Sequence, residues 1–239
     1  MTFTVIGRCS RTGKLGFAQA TGTPAIGRRA VRVIPGKAVV VVQAGHNNYL
    51  LEVAVELAKA GFGAKRVFDS VITSDPFSAQ RQLMYLEMAG PGVALTGSKA
   101  RPWCGHIEGE DYAVAGNVLP GEQVLTSMAT AFKNSAGQEL EERLLTALEA
   151  GRDAGGQTGG EVSAALFVTG AFPYPLFDLR VDVSREPTGE LRKSYEWYKP
   201  LAPFYSDCYE KGIPALYKDH LKSIGWPLVP FQEGEGATK

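Results

Sequence analysis

The sequence predicts an α+β fold, a four-layer αββα sandwich of two mainly antiparallel sheets with helices on both outer faces. Three observations predict it. Helical patterns come in pairs, not singly between strands, which fits poorly with right-handed βαβ crossovers. Strand patterns come in runs between those pairs, as in folds that segregate helices from antiparallel sheets. One strand, Ala38 to Gln43, is an unbroken run of valines after its first residue, the mark of burial on both faces.

The elements follow in order. Phe3 to Gly7 and Leu15 to Thr21 are short, apolar and β-prone, joined by a turn ending Arg11-Thr12-Gly13-Lys14. The valine strand follows the turn Pro35-Gly36-Lys37. From Tyr49 the period changes: Leu50, Val53, Ala54, Leu57 and Ala58 fall at helical spacing until Gly61. Ala64, Val67, Phe68, Val71 and Ile72 repeat the pattern, and Asp75-Pro76 ends it. Gln82 to Glu87 and Val93 to Thr96 read as a hairpin turning on Ala89-Gly90-Pro91-Gly92, and Tyr112 to Ala115 as a strand entering Gly116-Asn117. A second helix pair spans about Glu122 to Lys133 and Glu139 to Ala150. The glycine run from Gly155 to Gly160 reads as a flexible connection to the strand Val162 to Thr169. Leu179 to Val183 is the last expected strand, and Pro187, well placed at a helix start, opens a helix to about Tyr198. This organisation predicts one domain over 1–198 and a C-terminal extension over 199–239, an ordered wrap that becomes a loose tail from Glu233.

Composition narrows the function. Lys plus Arg and Asp plus Glu are balanced at 25 each, without the basic excess that phosphate binding usually requires. Nucleic acid and membrane surfaces are therefore not expected partners. Apolar runs such as Ala38 to Val42 fall far short of the ~20 residues that span a bilayer. The segment Met1-Thr2-Phe3-Thr4-Val5 has no charged region followed by an apolar one, so no secretory signal is expected. Three widely spaced cysteines, Cys9, Cys104 and Cys208, do not make a disulfide framework and point to a reducing cytoplasm.

Several short stretches resemble a known family. Met1-Thr2-Phe3-Thr4, Thr12-Gly13-Lys14-Leu15-Gly16, Gln43-Ala44, Arg81-Gln82 and Gly105-His106 stand in its order and spacing. So do Gly116-Asn117, Ser163-Ala164-Ala165-Leu166 and Asp178-Leu179-Arg180-Val181-Asp182. Over about residues 2 to 198 the chain resembles a bacterial domain-of-unknown-function family, number 1028, grouped with the N-terminal-nucleophile hydrolases. The resemblance implies a proteasome-like sandwich and amide-bond hydrolysis. The chain departs from the family pattern at Thr4, Thr21, Val41, Val42, Gln157 and the segment after Gln43.

Within that frame Thr2 is the candidate nucleophile. With Met1 removed it would carry a hydroxyl and a free α-amine able to serve as its base. The alternative is that Thr2 merely begins an edge strand. Asn117, at a strand end, is the candidate orienting group, or else a turn asparagine. Gln43 must find partners for a buried amide, and a ligand can be one. Arg81 sits on a strand, where an unpaired cation is rare. Ser163, after the glycines, either donates to a substrate or caps the turn. His106 is grouped with these substrate-binding residues, its simpler reading being a loop histidine. Arg29, Arg32 and Lys37 could depress the pKa of a terminal amine, or be solvated. Cys104 with His106, joined by His46, has a zinc-like look, and Cys104 could serve as a thiol nucleophile. The spacing alone supports neither, and no metal or cofactor is expected. No nucleophile elbow, phosphate loop or dinucleotide fingerprint is present.

Two functions stand side by side. One is an amidohydrolase acting on a small amide or peptide-like substrate. The other is a catalytically inactive ligand-binding or assembly protein on the same sandwich. A homo-oligomer, most simply a dimer, is expected. Its contact would be built partly by the aromatic segment from Lys199 to Phe231, where Phe204, Tyr205, Tyr209, Tyr217 and Leu228 concentrate apolar surface, the alternative being that this segment folds back onto its own sandwich.

Overall fold

The computed structural model describes residues 1–45, 47–212 and 216–226. It divides into two compact units, Met1–Arg192 and Lys193–Lys239. Among the described residues the strands are β1 (Thr2–Cys9), β2 (Lys14–Thr21), β3 (Val31–Ile34), β4 (Ala38–Gln43), β5 (Gln82–Glu87), β6 (Val93–Thr96), β7 (Cys104–Glu108), β8 (Tyr112–Asn117), β9 (Ser163–Thr169) and β10 (Pro175–Val181). The helices are α1 (Asn48–Lys59), α2 (Ala64–Ser74), α3 (Gln123–Asn134), α4 (Leu140–Asp153), α5 (Pro187–Tyr198), α6 (Ala202–Lys211) and α7 (Tyr217–Ser223).

The first unit holds two sheets, one ordered β10-β9-β2-β1-β8-β7 and the other β3-β4-β5-β6. Every pairing in them is antiparallel. The sheets face each other across an apolar core in which Ile6, Phe17 and Phe167 meet Val39, Val41 and Met84. The other face of β4 and β5 presents Val40, Val42, Leu83 and Tyr85 to Leu50, Leu51, Phe68 and Val71 of α1 and α2. This explains the unbroken valines: successive residues of β4 enter different cores, and both cores are apolar. On the opposite side α4 covers β1, β2 and β9, and α3 beside it covers β7 and β8. Gly7 makes that approach close, since a Cβ there would lie 2.8 Å from the Phe132 ring. The structure thus has the predicted four layers.

Local chemistry sets the element ends. Asn47 caps α1, its side-chain oxygen accepting from the Tyr49 and Leu50 amides. Asp75-Pro76 ends α2 because the residue before proline disfavours the helical region.

The differences from expectation have physical causes. The short β3 and the half-exposed β7 lack a long apolar run and exist by pairing with β4 and β8. The last strand spans Pro175–Val181, four residues earlier at its start than expected. The glycine run is no slack tether. Gly155, Gly156, Gly159 and Gly160 all adopt positive φ, and Gln157 is buried. The Gln157 side chain accepts from the Gly22 amide at 2.8 Å, and the Thr158 amide donates to the Val118 carbonyl at 2.8 Å.

In the second unit, α6 and α7 carry an aromatic cluster. Phe204 contacts Tyr205, Tyr217 and His220, and Trp197 meets Trp226 edge-on at 5.1 Å. Leu228, Phe231 and the tail from Glu233 lie outside the described residues, as does His46. No helix among the described residues is long and apolar enough to cross a membrane.

Candidate active site

Side chains alternate along a strand, so Thr2, Thr4, Ile6 and Arg8 share the face of β1 that looks into the sandwich. Register then assembles a row. Thr2 lies opposite Thr21 of β2 on one side and Asn117 of β8 on the other. β1 is therefore a central strand, which overturns the edge-strand alternative for Thr2. The hydroxyl oxygens of Thr2 and Thr21 are 3.1 Å apart, and both hydroxyls donate to the Met1 carbonyl.

This row forms one wall of a cleft of about 350 Å³, lined also by Met1, Gln43 and Gly45. That volume lies at the lower end of the range of small-molecule sites. Beneath the wall runs a buried amide network joining the two sheets. Thr4 donates to Gln43 Oε1 at 2.8 Å, and Gln43 Nε2 donates to Gln82 Oε1 at 3.0 Å. Asn117 Nδ2 donates to the same Gln82 oxygen at 2.9 Å. Gln82 Nε2 in turn reaches the carbonyls of Gly116 at 2.7 Å and Gly105 at 3.0 Å. Asn117 is thereby held in one orientation by a side chain that is itself fully buried. Gln43 spends its amide on Thr4 and Gln82, so its hydrogen bonds orient the wall although the residue also lines the cleft.

The cleft is cationic. Arg29, Lys99 and Arg101 line it, and no Asp or Glu does so among the described residues. Arg29 bonds the neutral oxygens of Thr23 and Pro24. Burial, and then the nearby Arg101 charge, hold the Met1 amine below its ordinary pKa. A terminal amine at this spot is thus biased toward its neutral, basic form.

The remaining expected residues are placed as follows. Arg81 pairs with buried Asp75 at 2.7 Å and borders the cleft at Gly45, where a Cβ would stand 2.9 Å from its Nη1. The hydrogen bond from Arg81 is the main reason the Asp75 carboxyl lies below the usual range. Ser163 lies opposite Thr21 in the row, but its hydroxyl accepts from the Ile26 amide and donates to the Thr23 carbonyl. It therefore fixes the loop after β2, not the glycine turn before its own strand, and does not line the cleft. His106 is exposed on β7, its Nδ1 bonded to Thr96 at 2.9 Å, and also lies off the cleft wall. Arg32 pairs with Glu52, and Lys37 donates to the Lys59 carbonyl. Cys104 faces the Ala100 carbonyl, and burial pushes its thiol up, away from thiolate reactivity. Among the described residues no three His, Cys, Asp or Glu side chains converge on one point.

Thr21, Gln82, Lys99 and Arg101 had no place in the expected site. Thr21 was within reach, because pairing Cys9 with Lys14 across the first turn brings Thr2 opposite Thr21. Lys99 and Arg101 lie between β6 and β7, in a stretch with no local signal.

No curated protein matches the chain. Protein SPO2555 from Silicibacter pomeroyi is 29% identical with a TM-score of 0.75, covering 82% of this chain and 88% of that one. HslV from Trypanosoma brucei gives a TM-score of 0.45 at 10% identity, covering 70% of this chain and 98% of that one. Anbu from Yersinia bercovieri gives 0.42 at 16% identity, covering 90% of this chain and 99% of that one. The model of a family of unknown function, DUF1028, matches residues 2–191, nearly the whole first unit and none of the second. The chain belongs to the DUF1028 family.

Proposed function

We propose that this protein is an N-terminal-nucleophile amidohydrolase acting on a small amide or peptide-like substrate. Once Met1 is removed, Thr2 Oγ1 attacks the amide carbonyl carbon and its proton passes to the freed α-amine. The C–N bond then breaks, the leaving nitrogen takes that proton, and an ester to Thr2 remains. Water adds to the ester carbonyl, releasing the acid and restoring the hydroxyl. Asn117, held by Gln82, orients the substrate with its second amide hydrogen.

The observation that carries this reading is the pair of hydroxyls, Thr2 and Thr21, 3.1 Å apart on a cleft wall and both donating to a carbonyl. The Met1 carbonyl stands where a substrate acyl group would sit. The test is intact mass of untagged protein from its native host, together with turnover of amide substrates by wild type and Thr2→Ala. Removal of Met1 and loss of turnover in the variant are expected. Active protein that retains Met1 in every molecule sinks the mechanism.

The same contact favours a second reading, a ligand-binding or assembly protein without a nucleophile, because a retained Met1 occupies both hydroxyls. Unchanged ligand affinity in Thr2→Ala, with no turnover in wild type, would establish it. In either reading we place the protein in the cytoplasm, a proposal supported by its three free cysteines. We also propose a dimer through the extension from Lys199. Exposed Tyr209 and Tyr217 support that contact, and light scattering on the full chain and on residues 1–198 tests it.

A further inference from the structure

Many cations elsewhere among the described residues have carboxylate partners. Arg8 pairs with Asp111, Arg81 with Asp75, Lys14 with Glu139 and Glu141, and Arg192 with Glu142 and Glu149. The cleft reverses that habit in a chain of zero net charge. Arg29, Lys99 and Arg101 converge on it without a carboxylate among the lining residues described. Arg29 Nε is buried and makes no hydrogen bond. Lys99 and Arg101 are exposed and carry no ion pair among the described residues.

Like charges gathered in a concave, partly desolvated place repel one another, and their field is focused outward along the opening. A bound anion relieves both costs at once. We infer that the cleft recognises an oxyanion, a carboxylate or a phosphate, on its substrate, seated against Lys99 and Arg101 while the substrate's amide lies at Thr2. This rests on the amidohydrolase reading for the position of the amide, and on the charge arrangement alone for the anion. Guanidinium suits this task because its planar donors match carboxylate and phosphate oxygens two at a time. The substrate class is thus an acidic amide, such as an N-acylated amino acid or a phosphorylated N-acyl amine, in place of a neutral or cationic one.

The test measures equilibrium binding to the full chain with three probes sharing one acetamide. These are N-acetylglycine, its neutral counterpart N-acetylglycinamide, and N-acetylethanolamine phosphate. Wild type, Thr2→Ala and the double variant Lys99→Gln/Arg101→Gln are compared at low and high salt. Both replaced cations are exposed and carry no ion pair among the described residues, so their loss should leave the fold intact, which thermal unfolding checks. At least one anionic probe should bind about tenfold or more tighter than the neutral one, with added salt weakening it. That preference should persist in Thr2→Ala and disappear in the double variant. Which anionic probe wins distinguishes carboxylate from phosphate. Equal affinity for all three probes, no binding by either anion, or a preference that survives the double variant overturns the inference. An anion preference without turnover of any amide overturns the hydrolase reading alone. Turnover without an anion preference overturns only the inference drawn here.

Discussion

The two ends of β1 handle buried polar groups in opposite ways. At one end Arg8 is a closed latch between the sheets. Its Nε pairs with Asp111 at 2.9 Å, and its terminal nitrogens donate to the carbonyls of Glu87 at 2.8 Å and Glu110 at 2.7 Å, with Gly90 also engaged. Just beyond it, Lys14 and Arg11 both bond Glu139. At the other end the Thr2 and Thr21 hydroxyls look into a cleft, and the nearby cations have no carboxylate partners among its described lining. Between them Ile6 belongs to the apolar core. Carboxylate and carbonyl partners close the charge at the first end, while Lys99 and Arg101 at the second have no carboxylate among the described lining, and that contrast supports the proposal that a ligand binds there.

Substitutions at the two ends should therefore separate activity from stability. The largest expected effect is at Thr2. Thr2→Ala should lower turnover by about 10³-fold or more with an unchanged urea midpoint, whereas Thr2→Ser should keep measurable activity. A midpoint shifted along with turnover would place Thr2 with the structural end.

Arg8→Ala should do the reverse, costing about 3 kcal/mol in urea unfolding because three carbonyls and Asp111 lose a charged partner together. The cleft should bind as before. A smaller effect is expected where the two roles meet. Gln82→Met keeps the bulk but leaves Gln43 and Asn117 without a shared acceptor, for a cost of about 2 kcal/mol. Turnover should fall with it as Asn117 loses its orientation, and kcat should fall more than KM rises. An unaffected kcat would detach Asn117 from the chemistry.

The smallest expected effect is a pH dependence at the latched end. Hydrogen bonds from Lys14 and then Arg11 hold the Glu139 carboxyl down from its ordinary 4.5 to about 2. A depressed carboxyl stabilises the folded chain above its unfolded value and loses that contribution as pH falls. The window is thus from about 4.5 down to about 2. Glu139 is nearly half exposed, so solvent screening limits the gain to less than about 1 kcal/mol. Glu139→Gln should flatten unfolding free energy across that window and leave neutral pH nearly unchanged. A steeper acid limb in the variant would show that another carboxylate dominates.

Local patterns in the chain were enough to locate the helices of the first unit and to pair them. The 3.6-residue spacing of Leu50, Ala54 and Ala58, or of Leu140, Leu144 and Leu148, records which face is covered. The valines of β4 likewise recorded burial on two sides, and Thr2 and Asn117 stood out by residue type at strand ends. The sequence by itself thus determined the layers and the helix faces, and it nominated Thr2 as the candidate hydroxyl. Only the tertiary structure decided that Thr2 lies between Thr21 and Asn117 on a central strand, that Gln82 fixes Asn117, and that Lys99 and Arg101 turn toward the same opening. The two strand pairings of Thr2 alone span 19 and 115 residues of chain. A side chain's periodicity reports its own local backbone, while register between distant strands depends on how the whole sandwich closes, which leaves no trace in any short stretch.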